Sequence, residues 1–137
     1  MKNLKDIHIQ GTVVHGAKRG RELGFPTANI ELSEKQLKTM PQIGIYAGYV
    51  RCPSTHGDKT LMGAISWGFN PTFGLKNPQL EVHILDFDHD IYDQQISINF
   101  VEFIRGEVSF TTLEALVEKM GEDCLITRQI LKGGNIG

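Results

Sequence analysis

The stretch LEVHILDF at positions 80–87 decides the fold, because it alternates along its length with a period of two. One face of an extended segment carries apolar residues: Leu80, Val82 and Ile84. The opposite face carries Glu81, His83 and Leu85. The stretch QISINFVEF at 95–103 repeats this pattern. Alternation of this kind predicts strands that bury one face in a core.

Similar patterns extend the strand prediction along the whole chain. Strands are predicted at 7–14, 43–50, 60–67, 80–87 and 95–104, with a shorter extended piece at 28–32. Gly, Pro, Asn and Asp residues between them supply turns. Short strands that are followed by a helix favour a mainly β protein, namely a closed or nearly closed antiparallel barrel with a C-terminal helix.

The period changes at TTLEALVEKM, positions 111–120. Thr111 and Glu114 are spaced as in a capping box, and the apolar residues after them fall on one helical stripe. Gly121 is predicted to end this helix, and a second helix is predicted to follow it. The last residues, 132–137, read as a flexible tail.

Length and composition indicate one globular domain over residues 1–137. Apolar residues make up 40% and charged residues 22%, which are ordinary values. A net charge of -2 argues against a nucleic-acid partner. No apolar run is long enough for a membrane span or a signal peptide, and the two cysteines are expected to be free thiols. We therefore expect a cytoplasmic protein.

A glycine-rich segment precedes the motif PTAN at 26–29. Its glycines are spaced by four, at Gly16, Gly20 and Gly24, and basic side chains lie between them, at Lys18, Arg19 and Arg21. Flexible backbone N–H groups and cationic side chains suit phosphate oxygens. Thr27 and Asn29 offer oxygen ligands that point the same way from an extended backbone, as a Mg²⁺–phosphate unit requires. The glycine spacing by itself fits a solvated loop equally well, since neither common nucleotide motif is present.

Glu81 and His83 are the other candidates for chemistry. A positioned carboxylate can accept a hydroxyl proton during phosphoryl transfer. From the strand pattern alone, however, a wet outer face of the barrel is the favoured interpretation of both residues. Arg105 and Phe110, which follow the last long strand, are weaker candidates for ligand contacts.

Together, these segments resemble the riboflavin kinase family over about residues 9–131. The segments are GTVVHGAKRGRELGFPTANIEL, GIYAGYV, GFNPTFG, LEVHILDFDHDIY and FIRGEVSFTTLEALVEKMGED, in the family's order and spacing. The resemblance is strongest to the kinase unit of bacterial bifunctional enzymes. It implies a six-stranded antiparallel Greek-key barrel with a C-terminal helix. It also implies transfer of the ATP γ-phosphoryl group to the 5′-hydroxyl of riboflavin, which gives FMN and ADP.

The resemblance also assigns roles to residues. It implies that Glu81 is the catalytic base and that Thr27 and Asn29 hold the divalent ion, expected to be Mg²⁺ although other ions are possible. Arg105 and Phe110 are implied to contact the flavin. The implied ATP-binding residues are Gly16, Lys18, Arg19, Gly20, Gly24, Pro26, Thr27, Asn29 and His83.

Two positions depart from the family pattern, and two alternatives stay open. Asp93 replaces a usual glycine, and Phe69 replaces a smaller or polar residue, so both turns are expected to be reshaped. A flavin- or nucleotide-binding regulatory module is the main alternative, and an oligonucleotide-binding barrel is a distant one. As a kinase, the chain is expected to act as a monomer or as one half of a bifunctional FAD synthetase, and to stop at FMN.

Overall fold

The computed structural model describes residues 3–15, 24–69 and 77–134. The described residues contain six strands, which are β1 (His8–Val14), β2 (Ala28–Ile30), β3 (Gly44–Arg51), β4 (Thr60–Gly68), β5 (Gln79–Ile84) and β6 (Gln95–Arg105). The helices are α1 (Glu34–Leu37), α2 (Pro53–His56) and α3 (Leu113–Gly134), and a 3₁₀ turn covers Leu4–Asp6. All six predicted strands are confirmed, with small differences at their ends.

The strands close into a barrel in the order β1-β2-β5-β4-β3-β6. Every pairing between neighbours is antiparallel. The strands β3, β4 and β5 follow one another directly, and β6 returns to lie beside β3, which is a Greek-key connection. The predicted fold class is confirmed.

The barrel interior contains the apolar faces that the alternation predicts. Leu80, Val82 and Ile84 of β5 are all buried, as are Ile96, Ile98 and Phe100 of β6. Leu85 is also buried, although the alternation placed it on the outer face with Glu81. It lies just beyond the end of β5, where Asp86 takes a φ of 56° and the chain leaves the strand. The outer face of β5 is therefore defined by Glu81 and His83.

The C-terminal segment is one helix, α3, and the prediction that Gly121 separates two helices is wrong. The helix begins at Leu113, and the hydroxyl of Thr112 accepts a hydrogen bond from the backbone N–H of Ala115 at 3.2 Å. The cap is therefore Thr112 and not Thr111. The helix ends at Gly134, so part of the predicted tail is helical. Burial of one helix face outweighs the weak preference of a single glycine to break the helix.

Helix α3 packs across the outside of β3 and β4. Its barrel-facing residues are buried and spaced by four or seven, that is, by one or two helical turns: Leu116, Asp123, Thr127 and Leu131. The hydroxyl of Tyr49 on β3 donates a hydrogen bond to the carbonyl oxygen of Leu131 at 3.2 Å. None of the described helices has the length and apolar character needed to span a bilayer.

The two positions that depart from the family pattern have different surroundings. Asp93 takes a left-handed φ of 68°, the conformation that a glycine adopts easily, and its N–H donates to the carbonyl oxygen of Val13 at 2.8 Å. The turn is thus tied to β1 despite the aspartate, which is among the residues that best tolerate this conformation. Phe69 exposes 37% of its surface, and the segment that follows it lies outside the described residues.

Both cysteines are free, as the sequence predicted. Cys52 is buried beside α2, and burial raises the pKa of its thiol to about 11. Cys124 is half-buried on α3, and burial raises the pKa of that thiol as well. Both thiols are therefore protonated at neutral pH, which makes them poor nucleophiles.

Replacement of Gly121 by alanine is expected to stabilise the protein. A Cβ atom at this position would meet only Phe25 Cζ, at 4.0 Å, so the methyl group fits without a clash. The substitution lowers the entropy of the unfolded chain, which is worth about 0.5–1 kcal/mol in the free energy of unfolding. Urea denaturation measures this gain.

Gly63→Ala is the control for that substitution. A Cβ at Gly63 would lie 2.6 Å from Val82 Cγ2 and 2.8 Å from Val50 Cγ2, inside the barrel. We expect this variant to lose about 1–3 kcal/mol through overpacking. A loss of stability in Gly121→Ala would contradict a continuous, unstrained helix at that residue.

Candidate active site

The predicted site residues meet on the outer face of the barrel, where β2, β5 and β4 lie side by side. Asn29 of β2 is directly opposite Glu81 of β5, and Ser66 of β4 is opposite Glu81 on its other side. Residues opposite each other in an antiparallel sheet project from the same face. Polar groups of three strands are thereby aligned across the barrel wall.

Glu81 is held by Thr27. The hydroxyl of Thr27 donates a hydrogen bond to Glu81 Oε1 at 2.9 Å, in partly buried surroundings. Thr27 precedes β2 and is two residues from Asn29, so an extended backbone directs both side chains to the same side. The intervening Ala28 is buried in the core, which fixes this orientation.

Burial raises the pKa of the Glu81 carboxyl group, and the hydrogen bond from Thr27 opposes this effect in part. A buried carboxylate has lost hydration that would stabilise its charge, so it binds a proton more readily than an exposed one. Glu81 is therefore a stronger base than an exposed glutamate. Glu81 and His83 lie on the outer face of β5, as the strand pattern favoured, but both side chains are half-buried and Glu81 is hydrogen-bonded, so this part of the face is not fully solvated.

His83 fixes the chain segment that leads into β2. Its Nδ1 lies 2.8 Å from the carbonyl oxygen of Pro26. Since a carbonyl oxygen only accepts, Nδ1 carries the proton in this contact. The imidazole also meets the ring of Phe25 edge to face, with 5.5 Å between centroids. His83 thus contacts Pro26, the first residue of the PTAN motif, and Phe25, the residue before it.

A cavity of about 370 Å³ opens beside Thr27 at one end of the barrel. Its wall combines apolar core residues with Pro26 and Thr27, and the turn after β5 forms the rest. That turn contributes Phe87, Asp88, His89, Asp90, Ile91 and Tyr92. The sequence predicted a strand as far as residue 87 and a turn after it, and it did not connect this turn with a cavity.

Two ring contacts border this cavity. Tyr92 stacks on His15, with ring centroids 3.9 Å apart and planes 15° apart. On the turn, Phe87 and His89 have ring centroids 5.2 Å apart. Aromatic surfaces of this kind suit a flat ligand ring.

Arg105 is placed at the end of β6, away from Glu81. Its Nε and Nη2 atoms donate to the two carboxylate oxygens of Asp123 on α3, at 2.9 and 2.7 Å. The register runs from Glu81 through Ser66 and Ile45 to Arg105, three strand spacings, or about 14 Å. Arg105 therefore joins β6 to the helix, a role that the sequence did not predict.

The other predicted binding residues are only partly covered by the structure. Gly24 takes a φ of 89°, and a Cβ there would meet nothing within 4 Å, so the conformation of the backbone is what requires glycine. Phe110 is half-buried just before α3. Gly16, Lys18, Arg19 and Gly20 lie outside the described residues.

Thr27 and Asn29 suit a hard divalent cation. Because the Thr27 hydroxyl gives its proton to Glu81, both of its lone pairs can face a cation. Asn29 supplies an amide oxygen from the neighbouring position on the same side. Within residues 3–15, 24–69 and 77–134, no three His, Cys, Asp or Glu side chains cluster in a way that could hold a metal.

Comparisons with known proteins identify the family of the chain. The family model described as Flavokinase: Riboflavin kinase matches residues 4–131. The chain is 41% identical over 122 residues to a protein of Listeria monocytogenes named bifunctional riboflavin kinase/FMN adenylyltransferase, which covers 87% of this chain and 36% of that protein. The chain spans about a third of the length of such curated relatives.

Two crystal structures share the fold. Riboflavin kinase from Trypanosoma brucei has a TM-score of 0.69 and 28% identity, covering 91% of this chain and 79% of that one. A protein from Streptococcus pneumoniae described as a macrolide-efflux protein has a TM-score of 0.74 and 32% identity, covering 88% of this chain and 38% of that one. The chain belongs to the riboflavin kinase family.

Proposed function

We propose that the chain transfers the γ-phosphoryl group of ATP to the terminal hydroxyl of riboflavin, which gives FMN and ADP. Membership of the riboflavin kinase family supports a kinase that phosphorylates riboflavin. The observation that carries the proposal is the half-buried Glu81 carboxylate, which lies opposite Asn29 and accepts a hydrogen bond from Thr27, a residue that lines the cavity. It supplies a base where a metal-bound phosphate and an alcohol can meet.

In the proposed reaction, the riboflavin hydroxyl oxygen forms a bond to the γ-phosphorus of ATP. The bond from that phosphorus to the oxygen that bridges it to the β-phosphorus breaks, and ADP leaves with the electron pair. The hydroxyl proton passes to Glu81. A carboxylate is a weak base toward an alcohol, so positioning of the hydroxyl and late proton transfer account for most of its effect.

Riboflavin kinases use ATP, generally with a divalent metal ion. We propose Mg²⁺ for this chain, held by Thr27 and Asn29 through their oxygen atoms. The ion would neutralise phosphate charge that builds up in the transition state. Glu81 fixes the Thr27 hydroxyl so that its lone pairs, and not its proton, face that charge.

The two substrates would approach Glu81 from different sides. We place the nucleoside of ATP in the 370 Å³ cavity, because this cavity includes Thr27 and offers ring surfaces to a base. We place the flavin on the opposite side, towards α3, where Arg105 and Phe110 lie. Gly16, Lys18, Arg19, Gly20, Gly24, Pro26 and His83 remain the proposed ATP-binding residues, with His83 acting through its bond to Pro26.

Thr27→Val is expected to raise the KM for ATP about 10-fold or more, because valine keeps the shape but loses the hydroxyl that binds the cation and Glu81. Loss of that hydrogen bond should also raise the pKa of Glu81 further and move the acid limb of the kcat/KM profile to higher pH. Thr27→Ser, which keeps a hydroxyl, is the control. Titration of ATP and Mg²⁺ at several pH values measures both effects, and an unchanged metal dependence in Thr27→Val would contradict the assignment.

The direct test of the function is incubation of the protein with riboflavin, ATP and Mg²⁺, followed by chromatographic separation of flavins. We expect FMN and ADP in equal amounts. Reactions without ATP, and reactions with EDTA in excess of the metal, are the controls. Tight flavin binding without FMN formation would overturn the proposal and leave a flavin-binding regulatory module in its place.

We further propose that the chain works in the cytoplasm, either as a monomer or as the kinase unit of a longer FAD synthetase, without a nucleic-acid partner. The names of several curated relatives combine two activities, which supports the second form. Free thiols and a net charge of -2 agree with a reducing compartment and with the absence of nucleic acid. Light scattering of the native protein gives its molar mass in solution, and mass spectrometry gives the length of its polypeptide. Together, the two measurements distinguish a monomer of this chain from a longer FAD synthetase.

A further inference from the structure

Ser66 adjoins Glu81 on the side away from the proposed phosphate site. Glu81 lies between two directly opposite neighbours, Asn29 on β2 and Ser66 on β4. Directly opposite Cβ atoms in an antiparallel pair are about 4.5–5.5 Å apart. A hydroxyl at Ser66 is thus close enough for one small group to contact both it and the carboxylate.

The outer face of β4, which α3 also packs across, carries small side chains beside Glu81. On the outer face of β4, the next residue is Ala64, which lies opposite His83. Ala64 contributes a single methyl group, and Ser66 a single hydroxymethyl group, and both residues are half-buried. Beside Glu81, the outer face of this strand therefore presents one short side chain with a hydroxyl group, and the next residue on that face carries only a methyl group.

The strand register also shows on which side of Glu81 Ser66 lies. Asn29, Glu81, Ser66, Ile45 and Arg105 follow one another across five strands. The cation-binding residue stands at one end, and the ion pair of Arg105 with α3 stands at the other. Ser66 is the first residue met on going from the base towards the proposed flavin side.

We propose that Ser66 binds the accepting hydroxyl of the alcohol substrate and orients it towards Glu81. This inference rests on the proposed function. A hydroxyl oxygen has two lone pairs and one proton. Ser66 donates its own proton to one lone pair, the second lone pair attacks the γ-phosphorus, and the substrate proton points to Glu81. Because Thr27 donates to Oε1, we assign the substrate proton to Oε2.

A hydrogen bond from Ser66 to the substrate would have a chemical effect that a purely structural role of Ser66 would not have. Rotation about the terminal C–O bond of the substrate allows the hydroxyl proton to point away from Glu81. One hydrogen bond from Ser66 restricts this rotation and raises the fraction of bound substrate that is ready to react. Ser66 should therefore affect kcat and riboflavin binding, and leave the KM for ATP unchanged.

The experiment compares Ser66→Ala, Ser66→Thr and Ser66→Val with the wild type, using riboflavin and 5′-deoxyriboflavin. We expect Ser66→Ala to lose about 10-fold in kcat/KM for riboflavin, the effect of one hydrogen bond to the reacting group. Ser66→Thr keeps a hydroxyl, so its kcat/KM should stay within about threefold of the wild-type value. Ser66→Val has the shape of Ser66→Thr but no hydroxyl, so its kcat/KM should resemble that of Ser66→Ala. Ser66→Ala should weaken riboflavin binding and leave the binding of 5′-deoxyriboflavin unchanged.

Each outcome decides between the possibilities. If wild type forms no FMN, the proposed function fails and this inference fails with it. If wild type is active and Ser66→Ala stays within twofold of it, only this inference is overturned. Equal weakening of both flavins would show a merely structural role and would also overturn it. Melting temperatures show whether each variant is folded. If Ser66→Ala does not fold, the comparison uses Ser66→Thr and Ser66→Val. Higher turnover in Ser66→Thr than in Ser66→Val then supports the proposal, and equal turnover refutes it.

Discussion

Glu81→Gln is expected to lose about 100-fold or more in kcat for FMN formation and to keep its affinity for riboflavin and ATP. Glutamine retains an oxygen that can accept the Thr27 hydrogen bond, so the site keeps its shape. It cannot take a proton from an alcohol, which removes general-base catalysis worth about 10²–10⁴-fold. Steady-state kinetics give kcat, and quenching of flavin fluorescence gives the affinity. Turnover within threefold of wild type would refute the role of Glu81 as base.

The same variant tests the burial of Glu81 through its effect on stability. Because the pKa of Glu81 is raised in the folded protein, ionisation of this group destabilises the fold as the pH rises through that pKa. Below the ordinary pKa of glutamate, wild type is protonated in both states and should match Glu81→Gln closely. At pH 7 the variant should be the more stable of the two. Urea denaturation across pH 4–8 measures the difference, and a difference that shrinks with rising pH would contradict the burial effect.

Asp123→Asn is expected to destabilise the protein by about 2–4 kcal/mol. The Asp123 side chain is only 6% exposed, and it accepts both hydrogen bonds from the Arg105 fork. The asparagine amide group would face the guanidinium with N–H groups of its own and leave a largely buried cation without its counter-charge. Helix α3 would lose its polar connection to β6. Urea denaturation measures the loss of stability. A urea midpoint equal to that of the wild type would contradict the prediction.

Asp86→Asn provides a control in which an aspartate also accepts two hydrogen bonds from one arginine but is far more exposed. Asp86 accepts two hydrogen bonds from Arg128, at 2.9 and 2.8 Å, but its side chain is 71% exposed. Arg128 lowers the pKa of Asp86, so any contribution of this pair is present at neutral pH and is lost as the pH falls. Water already solvates this pair, and we expect a much smaller loss than at Asp123. Equal losses in the two variants would show that burial does not set the strength of these ion pairs.

Most of the barrel follows from local pattern. A strand with one face in a core must alternate, and the alternation at 80–87 and 95–103 located β5 and β6 and their inward residues. The helix was predicted less well because glycine carries a local signal that packing can override. The helix continues through Gly121, because the residues on both sides of it bury the same helix face against the barrel, including Asp123 and Thr127.

Residue type and resemblance suggested candidates for the site, but their surroundings could not be predicted. Thr27, Asn29 and Glu81 became candidates because they offer oxygen ligands and a carboxylate, and because they match motifs of the riboflavin kinase family. The sequence could not show that Glu81 is partly buried, since the covering groups come from elsewhere in the chain. The partner of Arg105 was also missed: Asp123 is 18 residues away, and only the path of α3 brings the two together.

The shortness of β2 has a consequence for how binding and folding are connected. This strand has three residues and meets β1 through two register pairs, Val13 with Ile30 and Val14 with Asn29. Local opening is easiest where two strands share the fewest hydrogen bonds, so among the strand pairs amide hydrogen exchange should be fastest between β1 and β2, here called the β1–β2 seam. The β1–β2 seam also carries Asn29 and adjoins Thr27. A ligand that holds these two residues closes the barrel at its weakest edge, and at 100 times its Kd it would add about 2.7 kcal/mol to the stability of the closed form.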